Sequence, residues 1–260
     1  MNFKISFCTT CMNRVEHLKE TLPQNILANK NYKNVEFVLL DYNSSDGLKN
    51  YVKSELAQYI TAGKLSYYRT DEPVKYNMSH SRNMVFNLAN GDILCNIDAD
   101  NFTGEGFANY INKTFNDKEE IVLSTHQRIE KKKKRRIGKN MCEEKDFLAV
   151  NGYDESMIYY GFDDYDFLNR LQLNGLKNEP IENDRYLSAI SHSNESRMAN
   201  SGGVNDLEKL LIAHINPATS VLCLLLKDGS YSKATIINNR IHNGICLPTE
   251  TKKHYIINIR

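Results

Sequence analysis

The stretch DILCNIDADN, residues 92–101, joins an apolar segment to two aspartates and decides the prediction of the fold. Residues 92–97 have the short apolar pattern of a buried strand, and Asp98 and Asp100 follow at its end. Two carboxylates one residue apart can share a hard divalent cation such as Mg²⁺ or Mn²⁺. A D-x-D pattern is also common where aspartates merely solvate the end of a strand. Asp98 and Asp100 are therefore candidate metal ligands whose interpretation depends on the rest of the chain.

The first hundred residues alternate between strand-like and helix-like segments. VEFVLL (35–40) is a nearly continuous apolar run, as expected for a strand of a parallel sheet covered on both faces. Further strands are predicted at 4–8, 64–69 and 92–97, and helices at 14–27, 48–60 and 78–88. This order predicts an open α/β sheet with right-handed crossovers. In such sheets ligands bind beyond the carboxyl ends of the strands, which is where TTCMNR, DYNSSD and DADN fall.

Composition and charge exclude several classes of protein. Lys and Arg number 33 against 32 Asp and Glu, so a net charge of +1 gives no general attraction to nucleic acid. The sequence has no apolar run of about 18 residues, and its beginning lacks a secretory signal pattern. Six scattered cysteines are typical of reduced thiols in the cytosol. We therefore expect a cytoplasmic protein that has no nucleic-acid partner.

Cys8 and Cys11 form a C-x-x-C pattern between the first strand and the first helix. A redox dithiol would be the main chemical feature of a thioredoxin-sized unit, and a zinc site would need a second cysteine pair. The other four cysteines form no such pair. We interpret Cys8 and Cys11 as small, reduced filler residues.

Two further polar segments are candidates for chemistry. In YNMSHSRN (76–83), His80 and Arg82 lie at a predicted helix start, where they can face a metal-bound diphosphate. Each is also common as a purely structural residue. ISHSNESR (190–197) places His192 after a short apolar run, and an isolated histidine is more often structural than a ligand. A site of two Asp and one His would nevertheless suit Mn²⁺.

A second acidic cluster begins the predicted helix of GFDDYDFLNRL (161–171) and consists of Asp163, Asp164 and Asp166. Favourable interaction with the helix macrodipole is a sufficient structural explanation for aspartates in a first turn. The functional alternative is that one carboxylate projects into a cleft as a general base. Apolar residues from 167 to 171 supply the buried face of this helix, which leaves the acidic face for that role, and Gly175 is expected to end it.

The ordered set of motifs resembles the GT-A-fold glycosyltransferases over roughly residues 1–200. More narrowly, it is similar to family-2-type bacterial enzymes that share a C-terminal motif with the β-1,4-galactosyltransferases. The segments that carry the resemblance are NRVEHLKETL (13–22), YNMSHSRN (76–83), the DAD motif, FLAVNGYDE (147–155) with GFDDYDFLNRL, and SHSNESR (191–197). The resemblance implies a Rossmann-like nucleotide-binding sheet and transfer of a hexose or N-acetylhexosamine from a UDP-sugar.

Residue roles are carried over from the family position by position. Asp100 would bind Mn²⁺ or Mg²⁺ directly, Asp98 would lie at the ribose and the metal, and His192 would be the third protein ligand. Asp164 matches the base of inverting members, and Asp163 matches an acidic neighbour that contacts sugar hydroxyls. The residues implied to line the nucleotide or its phosphates are Thr9, Arg14, Asp41, His80, Arg82 and Asp98. The implied acceptor is a saccharide or a lipid-linked saccharide of a bacterial surface polysaccharide or glycan.

This chain departs from the family pattern near the sugar contacts. The first loop has CTTC in place of a proline-containing segment, and Tyr42 follows Asp41 where a second acidic residue is usual. A double glycine is reduced to Gly161-Phe162, and Asp163 replaces the usual Glu. The resemblance therefore does not imply which sugar is transferred.

The domain prediction divides the chain near residue 200. Residues 1–100 would form the nucleotide-sugar half and 101–200 the acceptor half, followed by an extension (201–260) with a helix at 207–213 and a hairpin around Asp228-Gly229. The extension leaves homodimer formation open. The run KKKKRR (Lys131–Arg136) is most simply a solvated loop; peripheral contact with an anionic membrane is the alternative. Two other functional classes also stay open: a retaining or other nucleotide-sugar enzyme, and a catalytically silent nucleotide-binding subunit.

Overall fold

The computed structural model describes residues 1–125, 139–157, 161–186 and 188–191, together with Lys233. The strands within them are β1 (Ile5–Cys11), β2 (Val35–Tyr42), β3 (Leu65–Thr70), β4 (Ile93–Asn96), β5 (Asn101–Phe102), β6 (Ile121–Ser124), β7 (Asn140–Glu143), β8 (Lys177–Pro180) and β9 (Ser188–Ala189). The helices are α1 (Val15–Ala28), α2 (Leu48–Glu55), α3 (Ala57–Thr61), α4 (Met78–Leu88), α5 (Phe107–Asp117), α6 (Glu144–Ala149) and α7 (Asp163–Leu173), with a 3₁₀ turn at Asp184–Tyr186.

Seven of the described strands form one sheet in the order β3-β2-β1-β4-β7-β6-β8. Neighbouring strands pair in parallel except at β7, which is antiparallel to both β4 and β6. Strands β5 and β9 form a separate antiparallel ribbon just beyond the end of β4. The carboxyl ends of six strands and the amino end of β7 therefore meet at one edge of the sheet.

Helices cover both faces of this sheet, which explains the apolar runs in its central strands. Within β2, Phe37 and Leu39 belong to a core that includes α1, α2 and α5, whereas Val38 and Leu40 belong to a core that includes α4, α6 and α7. Side chains alternate between the faces of a strand, so a strand covered on both sides is apolar throughout. The predicted α/β architecture with a mostly parallel sheet is confirmed.

Individual predictions agree to within a few residues, with one notable difference. The helix predicted at 48–60 is two helices, α2 and α3, separated at Leu56. A stripe with a spacing of four, Leu48, Val52, Leu56 and Ile60, stays buried across the break. The break is therefore a single turn that is tighter than an α-helix: the Tyr59 amide donates to the carbonyl three residues earlier, that of Leu56, at 3.0 Å.

The prediction for Cys8 and Cys11 is also confirmed. Both thiols are free and buried, and burial raises the pKa of each above its ordinary value. A thiol that stays protonated in an apolar environment is a poor nucleophile and a poor metal ligand. Among the described residues, no helix has both the length and the apolar character needed to cross a membrane. The predicted helix at 207–213, the hairpin and the run 131–136 lie outside the described residues.

Candidate active site

The centre of the candidate site is the guanidinium of Arg82, which is only 1% exposed. Its Nη2 lies 3.2 Å from Asp98 Oδ1 of the D-x-D motif. Its Nη1 lies 2.9 Å from Asp164 Oδ1 and also contacts Asp163 Oδ2. One side chain therefore brings together the two acidic segments that the sequence placed 63 residues or more apart.

Helix α4 presents Arg82 because its first turn lies at the carboxyl edge of the sheet. Asn77 caps this helix by accepting a hydrogen bond from the His80 amide at 2.9 Å. His80 Nδ1 in turn lies 2.7 Å from the Tyr42 hydroxyl at the end of β2. The capped first turn thereby fixes His80 beside the strand ends, and Arg82 follows at the start of the second turn.

The start of α7 is held in place by the preceding segment, VNGYDE (150–155). Asn83 exchanges hydrogen bonds with the backbone of Tyr153, accepting from its N–H at 2.7 Å and donating to its C=O at 2.8 Å. Gly152 has φ +70°, and a Cβ there would overlap Asn83 Oδ1 and the ring of Phe147. Tyr153 then stacks on Phe167 of α7, with 4.2 Å between ring centroids. This packing explains why an N-G-Y segment precedes the acidic helix.

Negative charge exceeds positive charge at this site. One guanidinium contacts three carboxylates, those of Asp98, Asp163 and Asp164. Burial raises the pKa of Asp164 to about 8, and the neighbouring Asp163 and Asp98 add to the rise while Arg82 opposes it. Burial also raises the pKa of Asp98, with Asp100 adding to the effect. Such upward shifts indicate that the site accommodates a further cation or a proton.

The residues of the D-x-D motif fit a hard divalent cation. Asp98 keeps 34% of its side chain exposed, and Asp100 lies two residues on, so carboxylate oxygens with access to solvent are present. Within the described part of the chain, no group of three His, Cys, Asp or Glu side chains forms a metal site. His192, the predicted third ligand, lies outside the described residues. The Ile190 amide, two positions earlier, donates to the Asp100 carbonyl at 2.9 Å.

Asp166 belongs to a different arrangement from its neighbours in α7. Its Oδ2 accepts a hydrogen bond from Arg170 Nε at 2.8 Å, and both side chains are 1% exposed. Arg170 Nη1 also donates to the carbonyls of Val150 and Gly152. The expectation that the three aspartates share one face of α7 that is available to a cleft is therefore wrong for Asp166. Its side chain turns into the protein, and only Asp163 and Asp164 reach Arg82.

The other residues predicted to line a nucleotide lie at the same edge of the sheet with differing accessibility. Thr9 is buried within β1, and Arg14 is the residue before the first turn of α1. Asp41 is fully buried, and its oxygens accept hydrogen bonds from Tyr67 (2.7 Å), Arg69 (2.5 Å) and the Ser44 amide (2.8 Å). Asp41 thus organises the loop after β2, and its predicted contact with a nucleotide stays a prediction.

Two residues at the amino end of β7 also reach the site, and the sequence analysis missed both. Lys139 is 0% exposed; its Nζ donates to the carbonyls of Phe102 (2.8 Å) and Tyr186 (2.6 Å). Burial lowers the pKa of Lys139 to about 7, against the influence of Asp98 and Asp100. Asn140 donates from Nδ2 to the backbone carbonyl of Asp164 at 3.1 Å. We assigned them no role from the sequence because they follow closely after the basic run Lys131–Arg136.

Phe162, at the position where the resemblance implies a glycine, adopts the left-handed backbone conformation that glycine favours. Its φ is +75°, its side chain is 39% exposed, and its ring lies 5.4 Å from that of Tyr165. A bulky residue with positive φ is an outlier that costs about 1–2 kcal/mol. The departure noted in the sequence therefore places an exposed aromatic ring directly before Asp163.

Known proteins support this assignment of the fold. Structural similarity is found to a mannosyltransferase, PcManGT from Pyrobaculum calidifontis in complex with GDP-Man and Mn²⁺, at a TM-score of 0.57 and 14% identity, over 88% of this chain and 77% of that one. Fragment 1–349 of S. aureus TarS in complex with UDP gives 0.56 and 15%, over 69% and 58%. GalNAc-T7 with UDP, GalNAc and Mn²⁺ gives 0.54 and 15%, over 69% and 42%.

At these identities the structures establish a shared fold, which is the GT-A fold expected from the sequence. No curated protein sequence matches the chain significantly. Residues 6–169, more than half of the chain, match the family described as glycosyl transferase family 2. The matched range includes β1, the D-x-D motif, Arg82 and the acidic start of α7. This protein is therefore a glycosyltransferase that belongs to family 2.

Proposed function

We propose that this chain is a metal-dependent, inverting glycosyltransferase that moves a hexose or N-acetylhexosamine from a UDP-sugar to a saccharide or lipid-linked saccharide. The observation that carries the proposal is the contact of Arg82 with Asp98 on one side and with Asp163 and Asp164 on the other. The guanidinium of Arg82 would then lie between a diphosphate bound at the D-x-D motif and the carboxylates of Asp163 and Asp164, which could activate an acceptor.

Asp98 and Asp100, with His192 as third protein ligand, would hold Mn²⁺ or Mg²⁺. The cation would act as a Lewis acid that stabilises charge on the departing diphosphate. Two of the similar structures support this choice, since the PcManGT and GalNAc-T7 complexes contain Mn²⁺. The TarS and GalNAc-T7 complexes contain UDP, which supports the proposed nucleotide. The Ile190–Asp100 hydrogen bond supports the role of His192, because two residues span at most about 7 Å.

The base in this mechanism is Asp164. The pKa of Asp164 would fall from about 8 when a cation is bound at Asp98 and Asp100. The ionised carboxylate would then take the proton of the acceptor hydroxyl as that oxygen attacks the anomeric carbon from the face opposite the diphosphate. This geometry would give an inverted, β-linked product. Asp163 would accept hydrogen bonds from sugar hydroxyls, and Arg82 would exchange part of its carboxylate contacts for the donor's phosphate oxygens. The residues proposed to line the nucleotide are Thr9, Arg14, Asp41, His80 and Asp98.

Several finer parts of the proposal rest on the sequence alone. These are the relationship to the β-1,4-galactosyltransferase type of motif, a role in surface polysaccharide or glycan synthesis, and a cytoplasmic location. Contact of Lys131–Arg136 with an anionic membrane and formation of a homodimer through 201–260 concern segments outside the described residues. The division of the chain near residue 200 is also retained as a proposal.

The test is Asp164→Asn, assayed with the UDP-sugar that a screen of donors with Mn²⁺ and Mg²⁺ selects. We expect transfer to fall by about 10²–10⁴-fold, because the amide cannot accept the hydroxyl proton. Calorimetry should still detect Mn²⁺-dependent UDP binding, since Asp98 and Asp100 are intact. NMR of the wild-type product should show an inverted anomeric configuration.

The matched control is Asp92→Asn, because Asp92 accepts a hydrogen bond from the Lys4 amide at the opposite edge of the sheet. This control should keep wild-type turnover. Wild-type turnover in Asp164→Asn would refute the base assignment, and a retained configuration would refute the inverting mechanism. Absence of UDP binding to the wild-type protein with either metal would refute the nucleotide assignment.

A further inference from the structure

We propose that Lys139 and Asn140 are positioning residues, one for the metal side of the active site and the other for the base. The inference rests on the proposed function, which assigns the metal to the D-x-D motif and the base to Asp164. Both residues are fully buried and lie side by side at the amino end of β7. Their side chains nevertheless extend from opposite faces of the sheet.

Lys139 holds the ribbon that follows the metal motif. Its Nζ donates to Phe102 O at 2.8 Å and to Tyr186 O at 2.6 Å, and it lies 5.4 Å from the ring centroid of Phe107. Phe102 belongs to β5, which pairs with β9, and Tyr186 ends the turn that leads into β9. One side chain thus joins β5, two residues beyond Asp100, to the turn that precedes β9.

This ribbon is one of the contacts that position Asp100, beside those from α1, in which Thr21 donates to Ala99 O at 2.7 Å and Asn25 donates to Asn101 O at 2.9 Å. Its register pairs Asn101 with Ala189, and the next hydrogen bond joins Ile190 N to Asp100 O at 2.9 Å. The ribbon consists of only two paired residues in each strand, and so short a ribbon is marginal by itself. The two hydrogen bonds from Lys139 therefore add to what holds Asp100 in position, on the side of the ribbon that α1 does not contact through Thr21 and Asn25.

Asn140 holds the base from the other face. Its Nδ2 donates to Asp164 O at 3.1 Å and approaches Asp164 Oδ1 at 3.4 Å. The first of these bonds fixes the backbone of Asp164, the proposed base, to strand β7 of the sheet. Arg82 contacts the same carboxylate oxygen at 2.9 Å, so Asn140 and Arg82 together orient Asp164.

The direction of β7 explains how these residues reach the site. The antiparallel register pairs Cys95 with Met141, so the residues before Met141 continue level with the end of β4 and the start of the D-x-D motif. Met141 belongs to the core on the α5 face, and Cys142 belongs to the core on the α7 face. The alternation of side chains therefore sends Lys139 toward β5 and Asn140 toward α7.

The experiment compares Lys139→Met and Asn140→Ala by two measurements: the affinity for Mn²⁺ alone, from electron paramagnetic resonance, and kcat and KM for the selected UDP-sugar. Outer partners of metal ligands typically change affinity or activity by about 10–100-fold when removed, and we expect Lys139→Met to weaken Mn²⁺ binding by that amount. Asn140→Ala should keep the Mn²⁺ affinity and the donor KM but lower kcat by about 10-fold or more. Lys139→Gln, which retains two N–H donors, should recover part of the Mn²⁺ affinity and also serves if Lys139→Met does not fold.

Asn112→Ala is the matched control, because the Asn112 side chain accepts hydrogen bonds from Phe3 N (3.0 Å) and the Tyr32 hydroxyl (2.9 Å) at the opposite edge of the sheet. It should change neither Mn²⁺ affinity nor kcat. The inference is wrong if folded Lys139 variants bind Mn²⁺ like the wild type and Asn140→Ala keeps its kcat. If the wild-type protein itself binds neither Mn²⁺ nor UDP, the proposed function fails and the inference fails with it.

Discussion

Two buried arginines, Arg82 and Arg170, are each 1% exposed and yet have opposite electrostatic surroundings. Arg170 contacts one carboxylate, that of Asp166, and uses another N–H group to bond backbone carbonyls. Arg82 contacts three carboxylates. The three helical carboxylates involved lie within four residues of α7.

This difference separates a structural ion pair from the cluster that we propose to be functional. A one-to-one buried pair is neutral, so this one contributes mainly to holding α7 against the loop at Val150 and Gly152. A cluster with an excess of carboxylates stores mutual repulsion, which a divalent cation, a phosphate-bound metal or a proton relieves. Burial does not distinguish the candidate site from the structural pair, because both arginines are buried. The number of carboxylates around each arginine does distinguish them.

Removal of Arg170 should have the largest effect on stability. Arg170→Leu leaves Asp166 buried and unpaired, and breaking a buried pair in this way costs about 3–5 kcal/mol in the free energy of unfolding. Urea denaturation at neutral pH measures the loss. The double substitution Asp166→Leu/Arg170→Leu should recover part of it, since no isolated charge remains. Equal stability of Arg170→Leu and the wild type would contradict a structural role for the pair.

The pH dependence of stability should reveal the excess charge at Arg82. Burial raises the pKa of Asp164 to about 8, whereas the unfolded chain loses this proton near pH 4. The folded state therefore holds a proton that the unfolded state lacks, and the stability due to Asp164 falls as the pH rises from about 4 to 8. Relative to the wild type, Asp164→Asn should gain about 2 kcal/mol between pH 6 and pH 8, measured by urea denaturation without metal.

A difference between Asp164→Asn and the wild type that changes only below pH 4 would contradict this prediction. That result would mean that Arg82 outweighs burial and holds the pKa of Asp164 low. The comparison with Arg170 would then need a different explanation, because the three carboxylates at Arg82 would be ionised together without the cost that raises the pKa of Asp164.

Neutralising Asp163 should have the smallest effect on stability. Arg82 keeps its contacts with Asp98 and Asp164 in Asp163→Asn, so no buried charge is left alone, and we expect a change within about 1 kcal/mol. Asp166→Asn is the matched control in the same helix; it leaves Arg170 without a carboxylate and should lose several times more, about 3 kcal/mol. Thermal or urea unfolding of the two variants side by side decides between them. Equal losses would show that the two clusters do not differ as proposed.

Much of the site was predictable because its residues follow local rules. Asp98 and Asp100 come directly after an apolar strand, and Arg82 lies in the second turn of a helix that matches its predicted bounds. Asp163 and Asp164 lie in a predicted first turn. Since the carboxyl ends of parallel strands meet at one edge of a sheet, the order of these segments predicts that they meet.

Other parts of the site could not be predicted in this way. Lys139 and Asn140 come from the amino end of a strand, and the rule for parallel sheets directs attention to carboxyl ends. The i, i+4 spacing of Asp166 and Arg170 indicates an ion pair, but it does not indicate that the pair is buried against the backbone of Val150 and Gly152. The burial of Asp41 depends on Tyr67 and Arg69 from the neighbouring strand β3.

The sequence by itself determined the α/β architecture, the edge of the sheet at which ligands would bind, and the acidic motifs, because periodicity and strand-end polarity are local properties. Tertiary structure decided which charges meet. Strand order placed β7, reversed, beside β4, and helix packing turned Asp166 inward while Asp163 and Asp164 reached Arg82. Coulomb energy depends on separation in space, and separation in the sequence does not specify it.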